Sequence, residues 1–226
     1  VARSGWSKHR DILLVRKRVQ MASVSHQRID THFGYIAIRS FQEKTALEVK
    51  TSLKTLQKSG KSPLKGLIID LRDNPGGLFD QGVAVADLFL HQGLIVTTES
   101  RHERHQEIQR AHPDDTNKTL PLVVLVNRNT ASSSEILAGA LKVHQRAHIM
   151  GENTYGKGSV QTLIGLEDGS GLKITVARYK TPEGNTIPAA GIPPNEVLSY
   201  SDKDTFTKSS GLKADPWIKA AVKHLQ

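Results

Sequence analysis

The segment Gly66-Leu67-Ile68-Ile69-Asp70-Leu71 has almost no polar face. A strand of this composition has to be covered on both sides, as strands are inside a parallel sheet flanked by helices. Upstream lies another strand, Gly34-Tyr35-Ile36-Ala37-Ile38. Between the two, Thr45 opens a helical stretch in which Leu47, Val49, Leu53 and Leu56 form an apolar stripe ending near Gly60. Strand, helix and strand make a β-α-β unit, and the chain therefore reads as α/β with a mostly parallel sheet. Downstream come the loop Arg72-Asp73-Asn74-Pro75-Gly76-Gly77, a helix from Gln81 to Leu90 and a strand from Leu94 to Thr98. A proline and two glycines after a buried strand let the backbone approach a ligand closely, although an ordinary tight turn has the same composition.

The stretch Asn127 to Gln161 carries the chemistry. A strand, Leu122 to Val126, runs into a polar loop, and Ser132, Ser133 and Ser134 stand where the next helix begins, ahead of Glu135 and the apolar Ile136, Leu137, Ala140 and Leu141. A hydroxyl at such a junction is held near backbone N–H groups that the helix itself leaves unsatisfied, and these can stabilise an oxyanion. Further on, Lys157 sits between Gly156 and Gly158, with nothing bulky to shield its amine. A desolvated lysine can act as the base that activates a serine. The plainer readings are an N-cap for the serines and a solvated turn for the lysine. A phosphate-binding loop does not fit, because Gly158 stands where that motif needs Ser or Thr and the following Ser159 to Ile164 is strand-like.

Thr130-Ala131-Ser132-Ser133-Ser134-Glu135-Ile136 and Gly156-Lys157-Gly158-Ser159-Val160-Gln161 together resemble the active-site region of the carboxy-terminal processing proteases, also called tail-specific proteases. The resemblance runs from about Phe33 to the C-terminus. It implies a ClpP/crotonase-like core of repeated β-β-α units, with Ser132 as nucleophile, Lys157 as base and Gln161 orienting the lysine. It further implies an oxyanion hole formed by backbone N–H groups, one from Gly76 or Gly77 and one from Ser133. The implied activity is endoproteolysis of protein or peptide substrates near their C-termini, without metal or cofactor, in the bacterial envelope or a chloroplast lumen. The alternative is a non-catalytic binding module on the same fold. In this family a PDZ domain precedes the core, and the loop Gly191-Ile192-Pro193-Pro194-Asn195 has Asn195 where an aspartate is usual.

Residues 1–29 read either as the remnant of a PDZ domain, with a strand within Lys8 to Val19, or as a basic edge strand. Residues 30–200 read as the protease core, and residues 201–226 as a polar linker and a C-terminal helix opened by Asp215-Pro216. A start at Val1 suggests a fragment or a processed form. The 226 residues are 37% hydrophobic but only 5% aromatic, so an aliphatic core of one substantial domain is expected. The absence of cysteine excludes disulfides and thiolate chemistry. A net charge of +9 raises nucleic acid or an anionic membrane as partners. The basic residues are dispersed, however, no nucleic-acid-binding motif is present, and no segment approaches a transmembrane length. No nucleic-acid partner is expected, membrane association is possible but not indicated, and the sequence leaves the oligomeric state open. His102, His105 and His112 raise a metal, but His102-Glu103-Arg104-His105 misses the one-turn spacing of a zinc helix, so none is expected there.

Overall fold

The computed structural model describes residues 2–13, 15, 22–60, 62–100, 106–113, 119–187, 190–199 and 211–226. In chain order the elements are β1 (Val24–Arg28), β2 (Phe33–Ile38), α1 (Thr45–Lys58), β3 (Gly66–Asp70), α2 (Phe79–Asp87), β4 (Leu94–Ser100) and β5 (Glu107–Arg110). They continue with β6 (Leu122–Val126), α3 (Ser133–Val143), β7 (His148–Gly151), β8 (Ser159–Gly165), β9 (Gly171–Lys180), β10 (Glu196–Val197) and α4 (Pro216–Leu225). The main sheet has the order β1-β2-β3-β6-β7-β10. Its β1 runs antiparallel to β2, and every other pairing is parallel. A second sheet, β5-β4-β9-β8, is antiparallel throughout.

Period-two alternation explains why the central strands lack a polar face. Ile36, Ile38, Leu67, Ile69, Val124, Val126 and Ile149 pack with the residues of α1, α2 and α3. Their alternates Tyr35, Ala37, Ile68, Val123, Leu125 and Met150 pack with Trp217, Ile218 and Ala221 of α4. Both faces of the sheet are thus buried, as parallel strands require.

The connection of α4 to the sheet is polar as well as apolar. Asp215 accepts from the N–H groups of Trp217 and Ile218 at 2.9 and 3.4 Å, capping the helix start, with Pro216 at the first helical position. Its other carboxylate oxygen lies 2.8 Å from the guanidinium of Arg72, which also pairs with Asp70 at 2.7 Å. The Tyr35 hydroxyl donates to Asp70 at 2.7 Å.

Some boundaries differ from the sequence expectation. Residues 8–13 and 15 form no strand, and the rest of the Lys8 to Val19 expectation lies outside the described residues. The edge strand is Val24–Arg28, a polar stretch placed by pairing with β2 rather than by its own pattern. Helix α2 begins at Phe79 and ends at Asp87, earlier than Gln81 to Leu90 at both ends. Leu47 of the α1 stripe is 62% exposed, whereas Val49, Leu53 and Leu56 are buried. His102 and His105 lie outside the described residues, and His112 bonds to Asp87.

The β8–β9 hairpin projects from the core. Ile164, Leu166, Leu172, Ile174 and Val176 on it are each more than 40% exposed, and β8 forms one edge of its sheet.

Candidate active site

Ser132 stands at the N-cap of α3, directly after the loop that leaves the C-terminal end of β6. Its backbone has φ 58° and ψ −120°. A non-glycine residue in this region carries strain on the order of 1–3 kcal/mol. Several contacts hold it there. The N–H of Ala131 donates to Asn74 O at 3.0 Å and the Ser134 hydroxyl to the same carbonyl at 3.2 Å. The Ser133 hydroxyl donates to Gly77 O at 3.0 Å. The Asn74-Pro75-Gly76-Gly77 loop is thereby fastened to the start of α3.

The two glycines of that loop have different surroundings. Both adopt positive φ, 99° at Gly76 and 144° at Gly77. A Cβ on Gly76 would stand 2.7 Å from Ser132 Cβ and 3.1 Å from Ser133 N, so only a glycine lets the loop lie this close to the serine. The N–H of Gly76, however, donates to Asn74 Oδ1 at 2.9 Å. Among the described residues no hydrogen bond is recorded for the N–H groups of Gly77 and Ser133.

Glu135 is the centre of the arrangement. It is fully buried, and each of its carboxylate oxygens accepts two hydrogen bonds. Oε1 receives the Thr154 hydroxyl at 2.6 Å and the Gly156 N–H at 2.7 Å. Oε2 receives the N–H of Ser132 at 2.8 Å and that of Lys157 at 2.9 Å. One oxygen thus holds the backbones of both Ser132 and Lys157, so their nitrogens are closer than two hydrogen bonds laid end to end. Their place at the start of a helix predicts only capping and local hydrogen bonding for Ser134 and Glu135. The reach of Glu135 to Thr154, Gly156 and Lys157 goes well beyond that. Only the Ser-x-x-Glu spacing of a capping box could have drawn attention to it.

Lys157 is half-buried in the loop before β8, and Gln161 is exposed within β8, opposite Thr175 at a register shift. Among the described residues no hydrogen bond joins the side chains of Ser132, Lys157 and Gln161. The Ser132 hydroxyl instead interacts with the phenol of Tyr179. Tyr179 is a buried residue of β9 whose ring stacks on Phe79 at 5.7 Å between centroids. Burial raises its pKa, and the hydrogen bond from Ser132 opposes that rise. Sequence reasoning passed over Tyr179, since nothing local to a strand end distinguishes it.

Residues 32–198 match peptidase family S41. The chain belongs to peptidase family S41. The S41 chain is 41% identical to a carboxy-terminal-processing protease of Bartonella bacilliformis over 199 residues, covering 88% of this chain and 46% of that protein. It is 36% identical to the carboxy-terminal processing protease CtpA of Bacillus subtilis over 224 residues, or 96% of this chain and 47% of the relative. Among solved structures, the photosystem II D1 C-terminal processing protease superposes with a TM-score of 0.69 at 37% identity, covering 81% of this chain and 50% of the other. The S41 chain spans about half the length of the curated relatives it matches.

Proposed function

We propose that this S41 chain is the catalytic core of a serine endopeptidase that cleaves protein substrates near their C-termini. Ser132 attacks the scissile carbonyl, Lys157 in its neutral form takes the hydroxyl proton and returns one to the leaving amine, and Gln161 aligns the lysine. The N–H groups of Gly77 and Ser133 receive the tetrahedral oxyanion. Gly77 is preferred over Gly76, whose N–H already serves Asn74. Loss of one such donor typically raises the barrier by about 2.7–4 kcal/mol.

The observation that carries the reading is the Glu135 carboxylate, which receives the backbone N–H groups of Ser132 and Lys157 on a single oxygen. It makes neighbours of two motifs with no local reason to meet. For attack, the Ser132 hydroxyl exchanges its Tyr179 partner for the Lys157 amine. The substrate is a protein tail entering beside Ser132, and the compartment is the bacterial envelope or a chloroplast lumen, by kinship with the processing proteases.

The test compares casein cleavage, and labelling by a serine-directed acylating probe, in the native chain, Ser132→Ala and Lys157→Ala. Both substitutions are expected to abolish cleavage, and Ser132→Ala to abolish labelling, with circular dichroism unchanged. Undiminished cleavage by Ser132→Ala, or labelling at another serine, would overturn the assignment. Should the native chain itself leave casein intact yet label at Ser132, the nucleophile stands and the activity requires further parts of the protein.

A further inference from the structure

The opposite rim of the main sheet holds a second cluster of chemistry-bearing side chains. Ser132 follows the C-terminal end of β6, whereas His148 opens β7 level with Val123 near the N-terminal end of β6. His148 shares a strand face with Met150, the face that α4 covers. Glu196 of β10 is in register with Met150, and His224 lies in the last turn of α4. Three side chains from three elements, far apart in sequence, converge there.

One ligand-type atom from each of His148, Glu196 and His224 lies within 4.8 Å of the other two. Nε2 of His148 is 3.6 Å from the Glu196 carboxylate, too far for a hydrogen bond, and the atom is buried without a hydrogen-bond partner. A buried nitrogen in that state is unfavourable until something satisfies it. The two imidazoles lie nearly parallel, 3.9 Å between centroids and 19° between planes.

We propose that His148, Glu196 and His224 form a divalent transition-metal site of the zinc type, which pins the C-terminal helix to the rim of the sheet. Two imidazoles and one carboxylate are a donor set that zinc accepts, with water as the fourth ligand. Zinc–nitrogen and zinc–oxygen bonds of about 2.0–2.2 Å require ligand atoms about 3.3 Å apart. The three groups therefore close inward, and the exposed Glu196 and His224 side chains have the freedom to do so. Lys142 and Arg146 line the adjoining cleft. Their charged groups donate to the carbonyls of Pro193, Phe89 and Leu120. The proposal does not depend on the proteolytic reading, since none of these residues belongs to the Ser132 region.

The experiment uses the chain without an affinity tag, stripped with EDTA and titrated with zinc chloride against a chromophoric chelator, with thermal melting followed in parallel. One equivalent is expected to bind with a Kd below about 10 µM, on the scale of competition with common chelators, and to raise the melting temperature. His148→Gln and His224→Gln should each weaken binding by at least about tenfold and remove the zinc-dependent rise, while melting like the native chain in EDTA. Absence of one-equivalent binding in the native chain overturns the proposal. So does an unchanged Kd in the two variants, which would place the zinc on other histidines. If either variant fails to fold in EDTA, Glu196→Gln, at an exposed position, decides in its place by the same criterion.

Discussion

Glu135 carries four hydrogen bonds on one buried carboxylate, and each donor belongs to the backbone or hydroxyl of a different residue. The amide of a glutamine at this position has one acceptor oxygen rather than two, so Glu135→Gln strands two of the four donors beside a buried side chain. Each stranded buried donor costs about 1–3 kcal/mol, and the loss should appear as a lower urea midpoint with an unchanged m-value. Cleavage should fall further than stability, because Ser132 leaves its strained conformation once its N–H is released. Activity that tracks only the folded fraction would reduce Glu135 to a scaffold. The candidate triad was legible in the sequence because two motifs announce it. The clamp was not, because its partners sit on a loop whose position depends on β7 and on Ile192, whose N–H donates to Thr154.

At the scale of elements, α4 shows what a short helix needs to stay attached. Its Asp-Pro start and apolar residues were readable from local pattern. The Arg72 link was not, since pairing between the end of β3 and a distant N-cap has no periodicity to reveal it. Asp215→Ala removes the cap and leaves Arg72 and Asp70 buried without their third partner. Breaking a buried ion pair in this way typically costs about 3–5 kcal/mol, and the expected result is that much less unfolding free energy in urea. A loss under about 1 kcal/mol, the size of a cap alone, would mean that Arg72 is fully served by Asp70. The edge strand β1 shows the converse. Its polar sequence Val-Ser-His-Gln-Arg predicts little, and only the exposed hydrogen-bonding edge of β2 makes it a strand.

Across the whole molecule, two buried phenols are expected to lower stability at alkaline pH. Tyr35 is pushed up by burial and then by the Asp70 charge, and Tyr179 by burial. In the unfolded chain both ionise near pH 10, whereas the folded chain keeps its protons to higher pH. Above pH 10 the unfolded state therefore binds fewer protons, and stability must fall as pH rises through that range. Urea midpoints at pH 9 and pH 10.5 should show the loss, and Tyr35→Phe should reduce it. Equal pH sensitivity in the variant would place the effect elsewhere. The parallel main sheet was foreseeable from its apolar strands. The antiparallel second sheet was not foreseeable as a unit, because β4 and β9 pair across more than a third of the chain.

The apolar strip along the β8–β9 hairpin has a practical consequence. Its five large side chains are part-exposed on a ribbon whose β8 forms a sheet edge, and the chain's net charge of +9 opposes contact between copies. Sulfate both screens that charge and is excluded from protein surfaces, which strengthens any contact that hides apolar area. Clouding of a concentrated solution on salting-out would thus begin at the ribbon, while the two-faced core beneath it is still intact.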